Sequence, residues 1–176
     1  MIPAPAAWLV DHRHLLPRAG DALDVACGSG RHAIWLAQQG LQTRAVDRDA
    51  EAVRQVNTEA RRLQLPLHAE VLDLERDDAR LEPAAYDVVV VVYYLHRPLF
   101  PQLREAVRPG GVLVYETFTQ AQAERGRPTN PDFLLAPGEL RELVRPFDIL
   151  VEREGEFDGR MLASVIARRA PERPLP

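Results

Sequence analysis

The sequence predicts an α/β fold of the doubly wound kind, a mostly parallel seven-stranded sheet with helices on both faces and an antiparallel C-terminal strand. Three observations carry this. Short apolar runs alternate with stretches of helical period along most of the chain. The run Val88-Val89-Val90-Val91-Val92 has the branched composition of a strand covered on both faces. Two glycines, Gly28 and Gly30, stand where the first strand gives way to the first helix. A chain of 176 residues, 46% apolar and 27% charged, holds one ordinary domain with its own core, so residues 1–176 read as a single domain.

The elements follow in order. Residues 22–26 form a short apolar strand that ends at the Cys27-Gly28-Ser29-Gly30 turn, and 31–39 carry Ile34, Leu36 and Ala37 in a helical context. Residues 42–46 read as the second strand. Behind them Asp49 caps a helix whose apolar positions are Val53, Val56, Ala60 and Leu63. Residues 67–72 make a third strand, and 86–95 the central fourth. Pro98 opens a helix that runs to Val107, Arg108-Pro109-Gly110-Gly111 stops it, and 112–117 form the fifth strand. The polar stretch 118–136, rich in Gly, Pro and Asn, exceeds a usual connection and reads as a functional lid. Pro137 starts a short helix to about Arg145, and strands at 147–153 and 161–167 close the sheet before a frayed tail beyond Ala170.

Charge and cysteine usage narrow the function classes. A net charge of −4 offers no broad attraction for phosphate backbones, so nucleic acid is not favoured and a small molecule is the expected partner; oligomeric state has no signal. Cys27 is the single cysteine, which leaves no internal disulfide and no cysteine cluster for zinc, and suits a reducing, cytoplasmic setting. Residues 1–10 carry no basic leader ahead of their apolar positions, and Asp11, His12, Arg13 and His14 follow at once, so neither a signal peptide nor a membrane span is expected.

Gly28, Gly30 and Ala33 match a G-x-G-x-x-A pattern, in which a ligand approaches backbone amides at a helix start; the same glycines also serve a plain tight turn. Asp47 strengthens the nucleotide reading, because a carboxylate at the end of the second strand can accept bonds from both ribose hydroxyls of an adenosine, with Arg48 beside it. A helix-capping role for Asp47 is the alternative, although Asp49 is better placed for that. Asp73 follows the third strand, where it can meet the adenine amine while Leu72 or Leu74 packs on the ring; it also begins a solvated acidic run with Glu75, Asp77 and Asp78.

Together these motifs resemble the class I S-adenosylmethionine-dependent methyltransferases, a Rossmann-like family, from Asp21 to Arg168. The resemblance rests on Leu-Asp-Val-Ala-Cys-Gly-Ser-Gly at 23–30, Val-Asp at 46–47, Leu-Asp at 72–73, Tyr-Asp-Val-Val-Val at 86–90 and Arg-Pro-Gly-Gly before the fifth strand. Within the family the chain looks most like small bacterial members related to tellurite-resistance methyltransferases. It departs at Ala26, where the family often has its first glycine. The resemblance implies that Asp24 organises the glycine loop and the amino-acid end of the cofactor, with Ala26, Gly28 and Gly30 lining it. It further implies that Asp47 holds the ribose, Asp73 and Leu74 the adenine, and the backbone near Tyr93 and Tyr94 the methionyl part.

The implied reaction is direct in-line displacement on an already activated methyl group, which asks the protein mainly for orientation and exclusion of water. His96, just after the fourth strand, is the candidate base, and capping of the Pro98 helix is its other reading. Tyr94 is the second catalytic candidate, and Tyr94, Tyr115 and Glu116 are pocket candidates, some of which must face the core because strand residues alternate. Arg125, Arg127, Asn130 and Phe133 are the groups a lid would bring to an acceptor, unless Asn130-Pro131-Asp132 is only a rigid turn. His12, Arg13 and His14 are candidates for the cofactor carboxylate, and no metal site is expected. Two alternatives remain: an NAD(P)-dependent oxidoreductase, which the Gly28, Gly30 and Asp47 pattern also fits, and a noncatalytic S-adenosylmethionine-binding regulatory module.

Overall fold

A computed structural model describes residues 3–172. The elements run α1 (Ala7–Asp11), β1 (Asp21–Val25), α2 (Arg31–Gln38), β2 (Gln42–Asp47), α3 (Ala50–Arg62), β3 (Leu67–Val71), β4 (Tyr86–Val92), α4 (Phe100–Ala106), β5 (Val107–Phe118), α5 (Glu139–Leu143), β6 (Asp148–Phe157) and β7 (Arg160–Arg168). They build one seven-stranded sheet in the order β3-β2-β1-β4-β5-β7-β6. The first five strands are parallel and β7 runs antiparallel between β5 and β6. The predicted architecture is therefore the observed one.

The valine run shows why both faces must be covered. Val88, Val90 and Val92 pack with Trp8, Leu9, Leu36 and Ile166 beneath α1 and α2, whereas Val89 and Val91 pack with Leu99, Phe100, Leu103 and Leu140 beneath α4 and α5. Helix α3 covers β2 and β3 through Val53 and Val56, and Asp49 caps it by accepting from the N–H groups of Glu51 and Ala52.

Several boundaries differ from expectation. Strand β4 ends at Val92 rather than Leu95, because Tyr93 takes a left-handed backbone with φ of 61°. The helix expected from Pro98 to Val107 is a 3-10 turn at Arg97–Leu99 followed by the shorter α4. The Arg108-Pro109-Gly110-Gly111 stretch does not precede β5 but belongs to it, since Gly110 donates to the Arg169 carbonyl and Arg169 donates back to Gly111. Helix α5 is shorter than 137–145. Strands β6 and β7 are longer than expected because they meet in a two-residue hairpin, Asp158-Gly159, with φ of 52° and 73°. Segment 118–136 contains 3-10 turns at Gln120–Glu124 and Pro131–Phe133. Of the tail expected to fray, residues 173–176 lie outside the described residues.

Candidate active site

The carboxyl ends of β1, β2, β4 and β5 surround a cavity of about 340 Å³. This is where an open parallel sheet places ligands, at the point where successive connections leave toward opposite sides. Ala26, Asp47, Arg48, Leu72, Asp73, Leu74 and Glu75 wall one part of it; Tyr93, Tyr94, Leu95, Thr117, Phe118, Pro128 and Phe133 wall the other. No group of three or more His, Cys, Asp or Glu side chains is placed to hold a metal ion among the described residues.

Asp47, the last residue of β2, ties the site together. Its Oδ2 accepts from Gly28 N–H at 2.8 Å and its Oδ1 from Asp49 N–H at 2.9 Å, so the carboxylate joins the glycine loop to the start of α3 while still facing the cavity. Gly28 has φ of 51°, and a side chain built on it would meet no atom within 4 Å. Its missing Cβ leaves open space. Gly30 is different: a Cβ there would sit 2.6 Å from Val56 Cγ2, so this glycine serves the packing of α2 on α3. Ala26, where the family glycine often stands, holds a left-handed φ of 53°.

Asp24 does not line the cavity. It is 1% exposed beneath the glycine loop and accepts from Ala33 N–H at 2.9 Å in the first turn of α2. Burial raises its pKa to about 7, with Asp47 adding to the rise while the Ala33 bond and Arg31 oppose it. Burial pushes the neighbouring Cys27 thiol up as well, which keeps it protonated and inert. Asp73 accepts from Glu75 N–H at 3.1 Å, and Leu74 is buried against the same wall. Arg48 is largely exposed and approaches Glu75 at 3.8 Å.

Tyr93 and Tyr94 carry the opposite wall. Tyr93 stacks on Phe118 with ring centroids 4.9 Å apart, and its hydroxyl accepts from Arg160 at 2.8 Å. The guanidinium carbons of Arg31 and Arg160 both lie 5.3 Å from its ring centroid. The Tyr94 hydroxyl donates to Glu75 Oε1 at 3.4 Å, and burial, then the Glu75 charge, hold its phenol well above the ordinary range. Tyr94 therefore keeps its proton at neutral pH and acts as a hydrogen-bond donor.

His96 occupies the loop between β4 and α4, partly buried, outside the cavity wall, and its side chain makes no capping bond to the turn that follows. Tyr115 and Glu116 are both core residues. Tyr115 donates to the Tyr94 carbonyl at 2.7 Å and stacks on Phe100, and Glu116 is paired with Arg153 and Ser164 behind the sheet. The His12-Arg13-His14 cluster lies away from the site: His12 bonds the Trp8 carbonyl, and Arg13 bonds Gln39 at the far end of α2 from Gly30. Of the segment 118–136 candidates, Phe133 reaches the cavity, Arg125 pairs with Glu156, and Asn130 caps the turn at Pro131–Phe133. Sequence reasoning passed over Thr117, Phe118 and Pro128, of which the first two follow from the rule that strand ends line the site. Arg31, Arg97 and Arg160 gave no local signal, because their partners are distant in sequence.

A family model described as a methyltransferase domain matches residues 22–111. The chain belongs to this methyltransferase family. Membership makes it an S-adenosylmethionine-dependent methyltransferase domain, and the cavity fits that cofactor through an acidic group at the end of β2 and an apolar slot at Leu72 and Leu74. Hemagglutinin 1 of Eikenella corrodens is 30% identical over 141 residues, covering 75% of this chain and 45% of that protein. The chain spans about half the length of the curated relatives it matches. An S-adenosylmethionine-dependent methyltransferase from Mesorhizobium loti shares the fold with a TM-score of 0.74 at 18% identity, over 93% of this chain and 98% of that one. TehB from Haemophilus influenzae shares it with a TM-score of 0.79 at 18% identity, over 94% and 62%. No helix among the described residues is long and apolar enough to cross a membrane.

Proposed function

We propose that this chain, acting as one domain in the cytoplasm, moves the methyl group of S-adenosylmethionine to a small-molecule nucleophile by in-line displacement. The observation that carries the reading is Asp47, held by Gly28 and Asp49 so that its carboxylate faces the cavity from the end of β2. In this reading Asp47 binds the ribose hydroxyls, Asp73 the adenine amine, and Leu72 and Leu74 the ring faces, with Arg48 at the exposed rim. Ala26, Gly28 and Gly30 shape the loop against the methionyl part, and Asp24 fixes that loop from below. Arg31, on the first turn of α2, takes the carboxylate role for which His12, Arg13 and His14 are too far away.

Bound S-adenosylmethionine supplies a methyl group activated by the positive sulfur. The protein's part is geometry. Tyr93 and Tyr94 orient the acceptor against the wall, Tyr94 as a hydrogen-bond donor, and segment 118–136 acts as an acceptor-side lid through Pro128 and Phe133, excluding water. His96, one residue beyond the cavity-lining Leu95, is the candidate base only for an acceptor that still carries a proton and extends past that wall. The aromatic lining of Tyr93, Tyr94, Phe118 and Phe133 suits a small, polarizable acceptor. A chalcogen nucleophile, as the resemblance to tellurite-resistance methyltransferases suggests, belongs to that class.

Calorimetric titration with S-adenosylmethionine, S-adenosylhomocysteine and NADH tests the reading. The first two should bind, and Asp47→Ala should weaken both by roughly 10- to 100-fold, the worth of one or two bonds to a charged acceptor. Binding of NADH alone would make the Gly28 to Asp47 unit a dinucleotide site, and binding of S-adenosylmethionine without turnover across oxygen, nitrogen, sulfur and selenium nucleophiles would favour a regulatory module.

A further inference from the structure

The lid is tied down unevenly. At its base Leu135 N–H donates to the Phe118 carbonyl and Gln120 N–H to the Leu135 carbonyl, each at 2.9 Å. Its first half is fastened to β7 by the buried Gln122, which accepts from Met161 N–H at 2.8 Å and donates to the Arg127 carbonyl at 3.1 Å. Its second half is gripped by the guanidinium of Arg97. Nη1 donates to the Asp132 carbonyl at 3.0 Å and Nη2 to the Leu134 carbonyl at 2.9 Å, while Nε and Nη2 reach the two Glu139 oxygens at 2.5 and 3.0 Å. Glu139 in turn accepts from Ala136 N–H at 2.8 Å.

The two carbonyls that Arg97 clasps flank Phe133, which walls the cavity yet remains 51% exposed. A half-exposed aromatic on a 3-10 turn has little packing of its own to fix it. Arg97 lies four residues after Tyr93, on the loop whose Tyr93, Tyr94 and Leu95 wall the cavity together with Phe133. One planar fork thus joins the loop after β4 to the segment that carries Phe133.

We propose that Arg97 is a positioning residue, a latch that holds Phe133 over the cavity and so sets how fast the cavity opens to cofactor, without touching cofactor or acceptor. This rests on the cofactor reading above. The geometry needs an arginine: a lysine ammonium could keep the Glu139 charge pair but could not span both carbonyls and the carboxylate. Hydrogen bonding from Arg97, helped by the Ala136 N–H and the Arg97 charge, holds the Glu139 carboxyl below its ordinary range against burial, so the pair stays ionised at neutral pH. Because the pair is partly exposed, its loss should release the lid without unfolding the chain.

The test follows tritiated S-adenosylhomocysteine by rapid filtration, together with chymotrypsin cleavage after Phe133, between the two carbonyls that Arg97 clasps. In Arg97→Gln the association and dissociation rates should both rise about tenfold with Kd within about threefold, because a gate alters both directions alike. Cleavage should accelerate to a similar degree. Arg97→Lys should fall between Arg97→Gln and wild type, and Phe133→Ala should speed ligand exchange as Arg97→Gln does. Wild-type rates in a folded Arg97→Gln protein, or a rise in dissociation alone with weakened Kd, would overturn the latch. If Arg97→Gln does not fold, Arg97→Lys carries the same comparison. If wild type fails to bind S-adenosylhomocysteine, the cofactor reading falls, while the cleavage rates still decide the latch.

Discussion

Ala26 holds a backbone conformation that costs an L-residue about 1–2 kcal/mol, at the point where its methyl group meets the cavity. Ala26→Gly removes that cost but returns about 0.4–1 kcal/mol of chain entropy to the unfolded state, so urea unfolding should show equal or slightly higher stability. Ala26→Val places a branched side chain at positive φ and should lose roughly 2 kcal/mol together with cofactor affinity. Equal stability of the valine variant would mean that the strain is absent. At this scale the sequence pointed to Asp47, Asp73, Tyr93 and Tyr94 of the cavity lining, because all four fall at strand ends, and it passed over Phe118. It did not reveal that Tyr115 and Glu116 point away, since the face of a strand residue depends on where the strand starts, nor that Arg31, Arg97 and Arg160 converge on the site. Those contacts join residues 35 to 67 positions apart and exist only once the chain has folded.

At the scale of elements, the two loop glycines perform separate tasks. Gly30→Ala drives a methyl group into Val56 and adds a strained φ of 74°, so it should cost about 2–4 kcal/mol by separating α2 from α3. Val56→Ala in the same chain should recover part of that loss, a coupling that a double-mutant cycle reads directly. Gly28→Ala meets open space and should cost about 1 kcal/mol of stability from its φ of 51°, yet it should weaken S-adenosylhomocysteine binding far more than Gly30→Ala/Val56→Ala does. The reverse ranking of affinities would mean that Gly28 does not face the ligand. These elements were legible because βα alternation and the valine run are local patterns. Helix α1 spans five residues, too few to show a period, and is held by burial of Trp8 and Leu9. The start of β5 was hidden because Pro109 and the two glycines read as a stop, whereas pairing with Arg169 keeps them in the sheet.

For the whole molecule, two buried groups make opposing demands on pH. Asp24 has its pKa raised to about 7 from 3.8, chiefly by burial, so between those values the folded chain holds a proton that the unfolded chain has released. Stability from this group therefore falls as pH rises from about 4 to 7, by about 4 kcal/mol in all. His32, 4% exposed with an unpartnered Nε2, is lowered to about 3 from 6.5 by burial and then by Arg31. In its window the unfolded chain holds the extra proton, so stability from His32 falls as pH drops from 6.5 toward 3. One proton on each side cancels across the shared window, and the pair should leave a plateau between about pH 4 and 6.5 in the cofactor-free protein. Asp24→Asn removes one arm, so urea unfolding of that variant should lose stability steadily from pH 6.5 to 4, while His32→Gln should gain stability over the same range. If wild type and both variants share one pH profile, neither group titrates as its burial requires. The outcome also bears on binding, because a buried carboxyl poised near neutrality under the glycine loop gains ionisation when a cation settles above it. S-adenosylmethionine should accordingly bind apo protein more tightly at pH 8 than at pH 6, and Asp24→Asn should abolish that difference.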